Sequence, residues 1–259
     1  MNYFFLAALA GLIQGLTEFL PISSTGHLII FQRIFNLPDN YFGLAFDASL
    51  HLGTLLAVLL FFFKDYLHAL RSKRLLIALI VGTIPAVIAG LLFESYINNQ
   101  VRQLWVIGVA LIIFSFVMMY ADKIGKNLKT ITKINAKDSL VIGIFQAIAL
   151  IPGVSRSGST ISAGLFLNYT REDASRFAFL LSGPVIAGAG SKKFLEVLMG
   201  HNTQPGEIQY FLVGMVSSAI FGYLTIKYFL KYIANHNLNI FIVYRIIIGL
   251  ILVSTIFWL

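Results

Sequence analysis

A carboxylate, a run of hydroxyls and an imidazole fall within ten residues in Glu18-Phe-Leu-Pro-Ile-Ser-Ser-Thr-Gly-His27. Gln14 and Glu18 are four apart and share one helical face, just before Pro21 ends the helix. Ser23, Ser24, Thr25 and His27 follow, with Gly26 allowing a tight turn. These are the parts for an activated nucleophile or for metal-assisted chemistry. The plainer alternative is that the hydroxyls cap the next helix and Glu18 pairs with a buried cation. A second stretch, Pro152-Gly-Val-Ser-Arg-Ser-Gly-Ser-Thr160, sets Ser155, Arg156, Ser157, Ser159 and Thr160 around Gly153 and Gly158, immediately before a helix. Free N–H groups at a helix N-terminus make an anion site, and Arg156 adds a fork matched to phosphate oxygens. Arg156 as a mere ion-pair partner of Glu18 is the alternative. The accompanying hydroxyls favour the anion reading, since an ion pair needs none.

Both stretches are embedded in apolar sequence, which is what makes them conspicuous. The 259 residues are 58% hydrophobic and 12% charged, with mean hydropathy +0.84. A soluble domain carries about 25% charged residues, so the composition indicates an integral membrane protein of one domain. At membrane depth, irregular backbone and charge are tolerated only inside protein or along a watery cavity. The absence of Cys excludes disulfides and thiolate metal sites. The formal net charge of +8 follows the membrane pattern rather than forming a free basic tract, which argues against a nucleic-acid partner. The N-terminus lacks a basic leader region, and no cleaved signal peptide is expected.

The hydropathy pattern predicts a helix over 2–19 and a short segment over 26–36, together a re-entrant hairpin because the second cannot cross about 30 Å of hydrocarbon. Spans follow at 44–63, 75–93 and 104–120, with a basic loop at 64–74 between the first two. After a basic linker, 121–138, the plan repeats: 139–151 and 158–168 as a hairpin, then spans at 174–190, 208–226 and 240–258. Gly11-Leu-Ile-Gln14 is echoed by Gly143-Ile-Phe-Gln146, and Pro85-Ala-Val-Ile-Ala-Gly90 by Pro184-Val-Ile-Ala-Gly188. The expected architecture is therefore all-α: six transmembrane helices plus two re-entrant hairpins, with repeat 1 at about 1–120 and repeat 2 at about 139–259. Three spans per half is an odd number, so the halves are inverted. Loops 64–74, 121–138, 169–176 and 227–238 hold most of the 19 Lys and Arg and are assigned to the cytoplasm. Both termini then face outward, and the hairpin tips meet near the midplane, where inverted repeats build their sites.

Other polar residues weigh less. Asp47 and His51, four apart near the start of a span, either face the same cavity or form an interfacial pair. Arg245 and Arg102 are read as structural. His68, His201 and His236 fall in loops, and Lys192 with Lys193 runs against the charge bias.

At Gln14-Gly-Leu-Thr-Glu18, Phe19-Leu-Pro-Ile-Ser-Ser-Thr-Gly-His27 and Pro152-Gly-Val-Ser-Arg-Ser-Gly-Ser-Thr160 the sequence resembles the undecaprenyl-diphosphate phosphatases, the bacitracin-resistance type. The likeness extends to Ile84-Pro-Ala-Val and the closing Tyr244-Arg. It implies removal of the terminal phosphate of undecaprenyl diphosphate, giving the monophosphate carrier of peptidoglycan and cell-envelope synthesis. It further implies a plasma-membrane enzyme opening to the outer side, with the lipid substrate and the bilayer as partners and a homodimer among the options. On this resemblance Arg156 and the backbone at 155–160 bind phosphate, with Ser23, Thr25, Ser155, Ser157, Gly158 and Thr160 contributing. Ser24 is the candidate nucleophile and Glu18 or His27 the base; His27 is also a candidate to attack or to protonate the leaving group. A divalent cation, Mg²⁺ or Ca²⁺, would bridge Glu18 and the diphosphate. Gln14 stands where many members have Glu, so it cannot be a charged ligand. A phosphatidic-acid-type phosphatase is disfavoured because the His its motif needs would fall at Ser162. A lipid-phosphate transporter or flippase is the serious rival, since it would use the same anion site but needs no nucleophile.

Overall fold

The structure, a computed structural model, describes residues 2–198 and 207–257. His201 lies outside them, as do the side chains of Lys192 and Lys193. The described residues are helical apart from turns, two short 3₁₀ segments and one isolated bridge, Lys129 with Tyr169. Helix α1 (Tyr3–Phe19) starts at Asn2, whose side chain accepts from the Phe4 and Phe5 amides, and stops short of Pro21. Helix α2 (Ser24–Ile34) follows the turn, then a single helical turn α3 (Asp39–Phe42). Helices α4 (Leu44–Phe61) and α5 (Phe63–Arg71) meet at a 69° bend. The basic segment expected as a loop is thus largely helix: α5 keeps its charges on a polar face, and Ser72 caps the next helix through the Leu75 amide. Helices α6 (Lys73–Gln100) and α7 (Leu104–Ile124) complete the first half.

The second half runs α8 (Ala136–Ile148), α9 (Arg156–Phe166), α10 (Arg171–Leu198), α11 (Glu207–Ile233) and α12 (Asn239–Ser254). Three helices among the described residues have the length and apolarity to cross a membrane: Lys73–Phe93, Leu104–Ile124 and Ile208–Ile233, with α4–α5 a fourth if the bent pair is one span. Outward-facing side chains such as Leu60, Leu91 and Leu92 are 68–73% exposed. In a membrane protein such a surface meets lipid rather than water.

The helices pack closely where glycines allow it. Helix α1 lies on α11, where a Cβ at Gly11 would stand 2.3 Å from the Gly214 carbonyl oxygen. Helix α8 lies on α6, where a Cβ at Gly143 would stand 2.4 Å from the Gly82 carbonyl oxygen. The two echoed segments therefore make equivalent contacts, each with a helix of the other half. Pro184 inside α10 frees the Leu180 carbonyl four residues back, and the Tyr66 hydroxyl donates to it at 2.7 Å. That bond ties α5 to α10. Beyond the helices, the linker is anchored by Lys129 and the Tyr169 hydroxyl on Asp138, and by Arg171 on Asp122.

Candidate active site

Two irregular turns, one after α1 and one after α8, meet in the structure. After Pro21 the chain turns through Ser23 (φ 73°, ψ 94°) and enters α2; after Gly153 (φ 96°) it turns through Ser155 (φ 74°, ψ 114°) and enters α9. Ser23 and Ser155 are 132 residues apart, as are Gly11 and Gly143 in the echoed segments. Left-handed backbone is costly for a non-glycine residue and persists only where its surroundings hold it. Here the tips hold each other: the Gly153 amide donates to Ser23 Oγ at 3.2 Å, and Ser157 Oγ donates to the Leu20 carbonyl at 2.9 Å.

Glu18 is the hub. Its Oε2 accepts from Ser24 Oγ at 2.5 Å and from Gln14 Nε2 at 2.9 Å, and its Oε1 pairs with the Arg156 guanidinium. Arg156 also donates to the Ser182 carbonyl at 3.3 Å. Arg156 therefore pairs with Glu18 and also borders an open space. That space is a cavity of about 510 Å³. Its polar wall includes Glu18, Ser23, Ser24, Thr25, Ser155 and Arg156, and its apolar wall includes Leu28, Val87, Leu91 and Ile186. A polar centre beside an apolar wall suits an amphiphile.

The remaining expected site residues are placed differently. Thr160 Oγ1 donates to the Arg156 carbonyl at 2.7 Å, one turn back on its own helix, and Ser155 Oγ accepts from the Gly158 amide at 3.2 Å as the cap of α9. Ser157 is spent on Leu20. His27 stacks on Tyr244 with ring centroids 5.7 Å apart, and its nitrogens meet the Ser23 carbonyl and the Tyr244 hydroxyl, each at 2.7 Å. A carbonyl partner fixes the proton on Nδ1, so Nε2 accepts from Tyr244. Both ring nitrogens are thus occupied away from Ser24.

His51 is the cavity residue that sequence reasoning underweighted. Its Nε2 lies 3.8 Å from Glu18 Oε2, and its Nδ1 meets the Asp47 carbonyl at 2.8 Å. Asp47 in turn accepts from Gln32 at 2.8 Å and from Arg102 at 3.2 Å. The Asp47–x₃–His51 spacing was the available signal; only the fold shows that this face of α4 turns toward Glu18.

The donor set is oxygen-rich, as Mg²⁺ or Ca²⁺ requires, but among the described residues no group of three or more His, Asp or Glu converges as a metal cage. Gln14 Oε1 is buried beside Glu18 without a hydrogen-bond partner.

A family model described as bacitracin resistance protein BacA matches residues 7–251. An undecaprenyl-diphosphatase of Thermodesulfovibrio yellowstonii is 46% identical over 247 residues, covering 95% of this chain and 94% of the relative. Undecaprenyl-diphosphatases of Elusimicrobium minutum and Rubrobacter xylanophilus are 42% and 40% identical, the former over 96% of both chains and the latter over 92% of this chain and 93% of its own.

Proposed function

The chain belongs to the bacitracin resistance protein BacA family, and from that premise we propose that it hydrolyses undecaprenyl diphosphate to undecaprenyl phosphate. Such an activity recycles the lipid carrier of cell-envelope synthesis and confers bacitracin resistance. The observation that carries the reading is Ser24 Oγ held 2.5 Å from one oxygen of Glu18 while Arg156 pairs with the other. A transporter needs the cation but not a hydroxyl hydrogen-bonded to a carboxylate. In this reading the cavity beside Glu18 supplies a nucleophile, its base and an anion clamp.

In the proposed reaction the terminal phosphate displaces Glu18 from Arg156 and takes the guanidinium for itself. Ser24 Oγ gives its proton to Glu18 and attacks the terminal phosphorus. The bond from that phosphorus to the bridging oxygen breaks, and undecaprenyl phosphate leaves with the electron pair. Glu18 passes that proton to the departing phosphate oxygen and then takes one from water. The resulting hydroxide attacks the serine phosphate, the bond from Ser24 Oγ to phosphorus breaks, Oγ recovers a proton from Glu18, and inorganic phosphate leaves. Ser23, Thr25, Ser155 and Arg156 line the phosphate, while Ser157, Gly158 and Thr160 shape the tip that presents Arg156. His27 is assigned to hold the first tip through Ser23 and Tyr244. A divalent cation would be held by Glu18 together with the substrate's own phosphate oxygens, Gln14 lying behind as a neutral neighbour. When bound, it would neutralise charge on the diphosphate.

We further propose that the architecture is a single membrane domain of six crossings and two re-entrant hairpins in an inverted repeat joined by the linker 121–138. The matching tips 132 residues apart and the equivalent α1–α11 and α8–α6 contacts support it. The cavity would open to the outer side of the plasma membrane. It is lined by the start of α4 and the later part of α6, the ends away from Arg71, Lys73 and Arg74, and basic ends face the cytoplasm.

The test is inorganic phosphate release from C55 isoprenyl diphosphate by purified protein in detergent, with Mg²⁺, Ca²⁺ and chelator in parallel. Release is expected, and its loss on chelation would support the cation. Release that survives chelation removes the cation and keeps the enzyme. Folded protein that releases nothing under any condition would favour the transporter.

A further inference from the structure

Arg245, in the middle of α12, is the largest fully buried side chain, 0% exposed. Among the described residues no carboxylate pairs with it. Its guanidinium instead donates to five oxygens. Nε meets Ser115 Oγ at 3.1 Å and Nη1 meets the Pro21 carbonyl at 3.1 Å. Nη2 is shared among the carbonyls of Leu111 at 3.3 Å, Gly153 at 3.1 Å and Val154 at 3.1 Å.

Three of these acceptors belong to the two irregular tips. Pro21 precedes the turn that delivers Ser24, and Gly153 and Val154 precede the turn that delivers Arg156. Carbonyls in such turns have no helical partner, and buried ones must find a donor. A planar guanidinium with five N–H groups can meet acceptors on both tips at once while its Nε and Nη2 also bond to Ser115 and Leu111 of α7. An isolated buried cation is costly unless its surroundings satisfy it. That five oxygens are gathered around this one, with no carboxylate, points to the tips as the reason for its presence.

We propose that Arg245 is a positioning residue for the phosphatase reaction: by bracing both tips it fixes Ser24 and Glu18 in register with Arg156. The inference rests on the phosphatase reading of the site. Arg245 is absent from the cavity wall, so it acts through the tips rather than on the substrate. Two hydrogen bonds already join the tips directly, Gly153 N to Ser23 Oγ and Ser157 Oγ to the Leu20 carbonyl; both come from the tips themselves. Arg245 is the brace that ties the pair to α7 and α12.

The experiment compares wild type, Arg245→Lys and Arg245→Met as full-length purified proteins, measuring phosphate release from C55 isoprenyl diphosphate per mole of monodisperse protein. A displacement of about 1 Å in a reacting group costs on the order of 100-fold. The Met variant is therefore expected to lose about 100-fold in kcat with KM within threefold, because Arg156 and the α9 N-terminus still offer an anion site. The Lys variant, which keeps the charge and three donors, is expected to recover about tenfold of that loss. A kcat within threefold of wild type in the Met variant overturns the proposal. So does a loss confined to KM, or failure of both variants to give monodisperse protein, which would make Arg245 a folding residue. Absence of release from wild type would instead sink the phosphatase reading, and is read from that control alone.

Discussion

Glu18 illustrates how far residue types carry an argument. A carboxylate ahead of a proline and two serines in apolar sequence points to a site because burying it unpaired is so costly, and in the structure it does gather Gln14, Ser24, Arg156 and His51. Hydroxyl counting is less informative. Ser157 and Thr160 looked like phosphate donors, but a Ser or Thr in a helix has a carbonyl one turn back within reach, and Thr160 uses the one at Arg156. Nor could sequence place His27, because its partner Tyr244 lies 217 positions away. These placements separate two substitutions. Ser24→Ala should lower kcat at least about 10³-fold with the fold intact, as removal of a nucleophile does. His27→Ala should cost about tenfold or less, the loss of two hydrogen bonds that steady the tip. Steady-state phosphate release decides between them. A histidine variant as inert as the serine variant, with unchanged thermal stability, would transfer the nucleophile or base to His27. His51→Ala should fall between the two, about 10- to 100-fold in kcat, since it removes a ring 3.8 Å from the proposed base.

Helices and their breaks were legible where the chain carries an explicit signal. Pro21 ends α1, and the Gly-rich second tip separates α8 from α9. Phe62 carries no such signal, which is why the 69° bend and the α5 helix beyond it escaped the pattern. The bend is fixed by tertiary bonds: Tyr66 on the carbonyl freed by Pro184, and Arg176 on Asp65 at 2.7 Å. The closest helix crossings depend on glycine in the same tertiary way. A Cβ at Gly143 would meet the Gly82 carbonyl oxygen at 2.4 Å, backbone against backbone with nothing flexible to yield, whereas Gly90 has nothing within 4 Å of the same atom. Gly143→Val is therefore expected to lower the thermal midpoint by about 6 °C or more, taking about 2–4 °C per kcal/mol for a chain of this size and a loss of about 3 kcal/mol. Gly90→Ala should leave the midpoint within about 2 °C, helped by the better helix propensity of Ala. A thermal-shift series in one detergent checks both, and equal behaviour of the two variants would remove backbone contact as the basis of the α6–α8 packing.

For the molecule as a whole, charge and hydropathy suggest an orientation, and the cavity gives that orientation a consequence. In the proposed orientation the first half runs from an outer hairpin to a basic cytoplasmic end and back. If the second half is inverted, its hairpin enters from the cytoplasm and the two tips meet in the middle. Span length alone does not establish this: α12 has 16 residues, about 24 Å at 1.5 Å per residue, short of a full hydrocarbon core unless the bilayer thins or the tips share the depth. Because the chain has no cysteine, single cysteines report position without background. Lys126→Cys in the linker and Asn235→Cys between α11 and α12 replace exposed residues and should resist a membrane-impermeant maleimide in intact cells until the membrane is opened. Gln103→Cys, also exposed and at the opposite end of α7 from Lys126, should react at once. The cavity wall includes Arg102, next to Gln103 in the chain. The same labelling therefore tests the side from which a diphosphate head group reaches Ser24. Reaction of Lys126→Cys and protection of Gln103→Cys would reverse the molecule and place the hydrolysis on the cytoplasmic side.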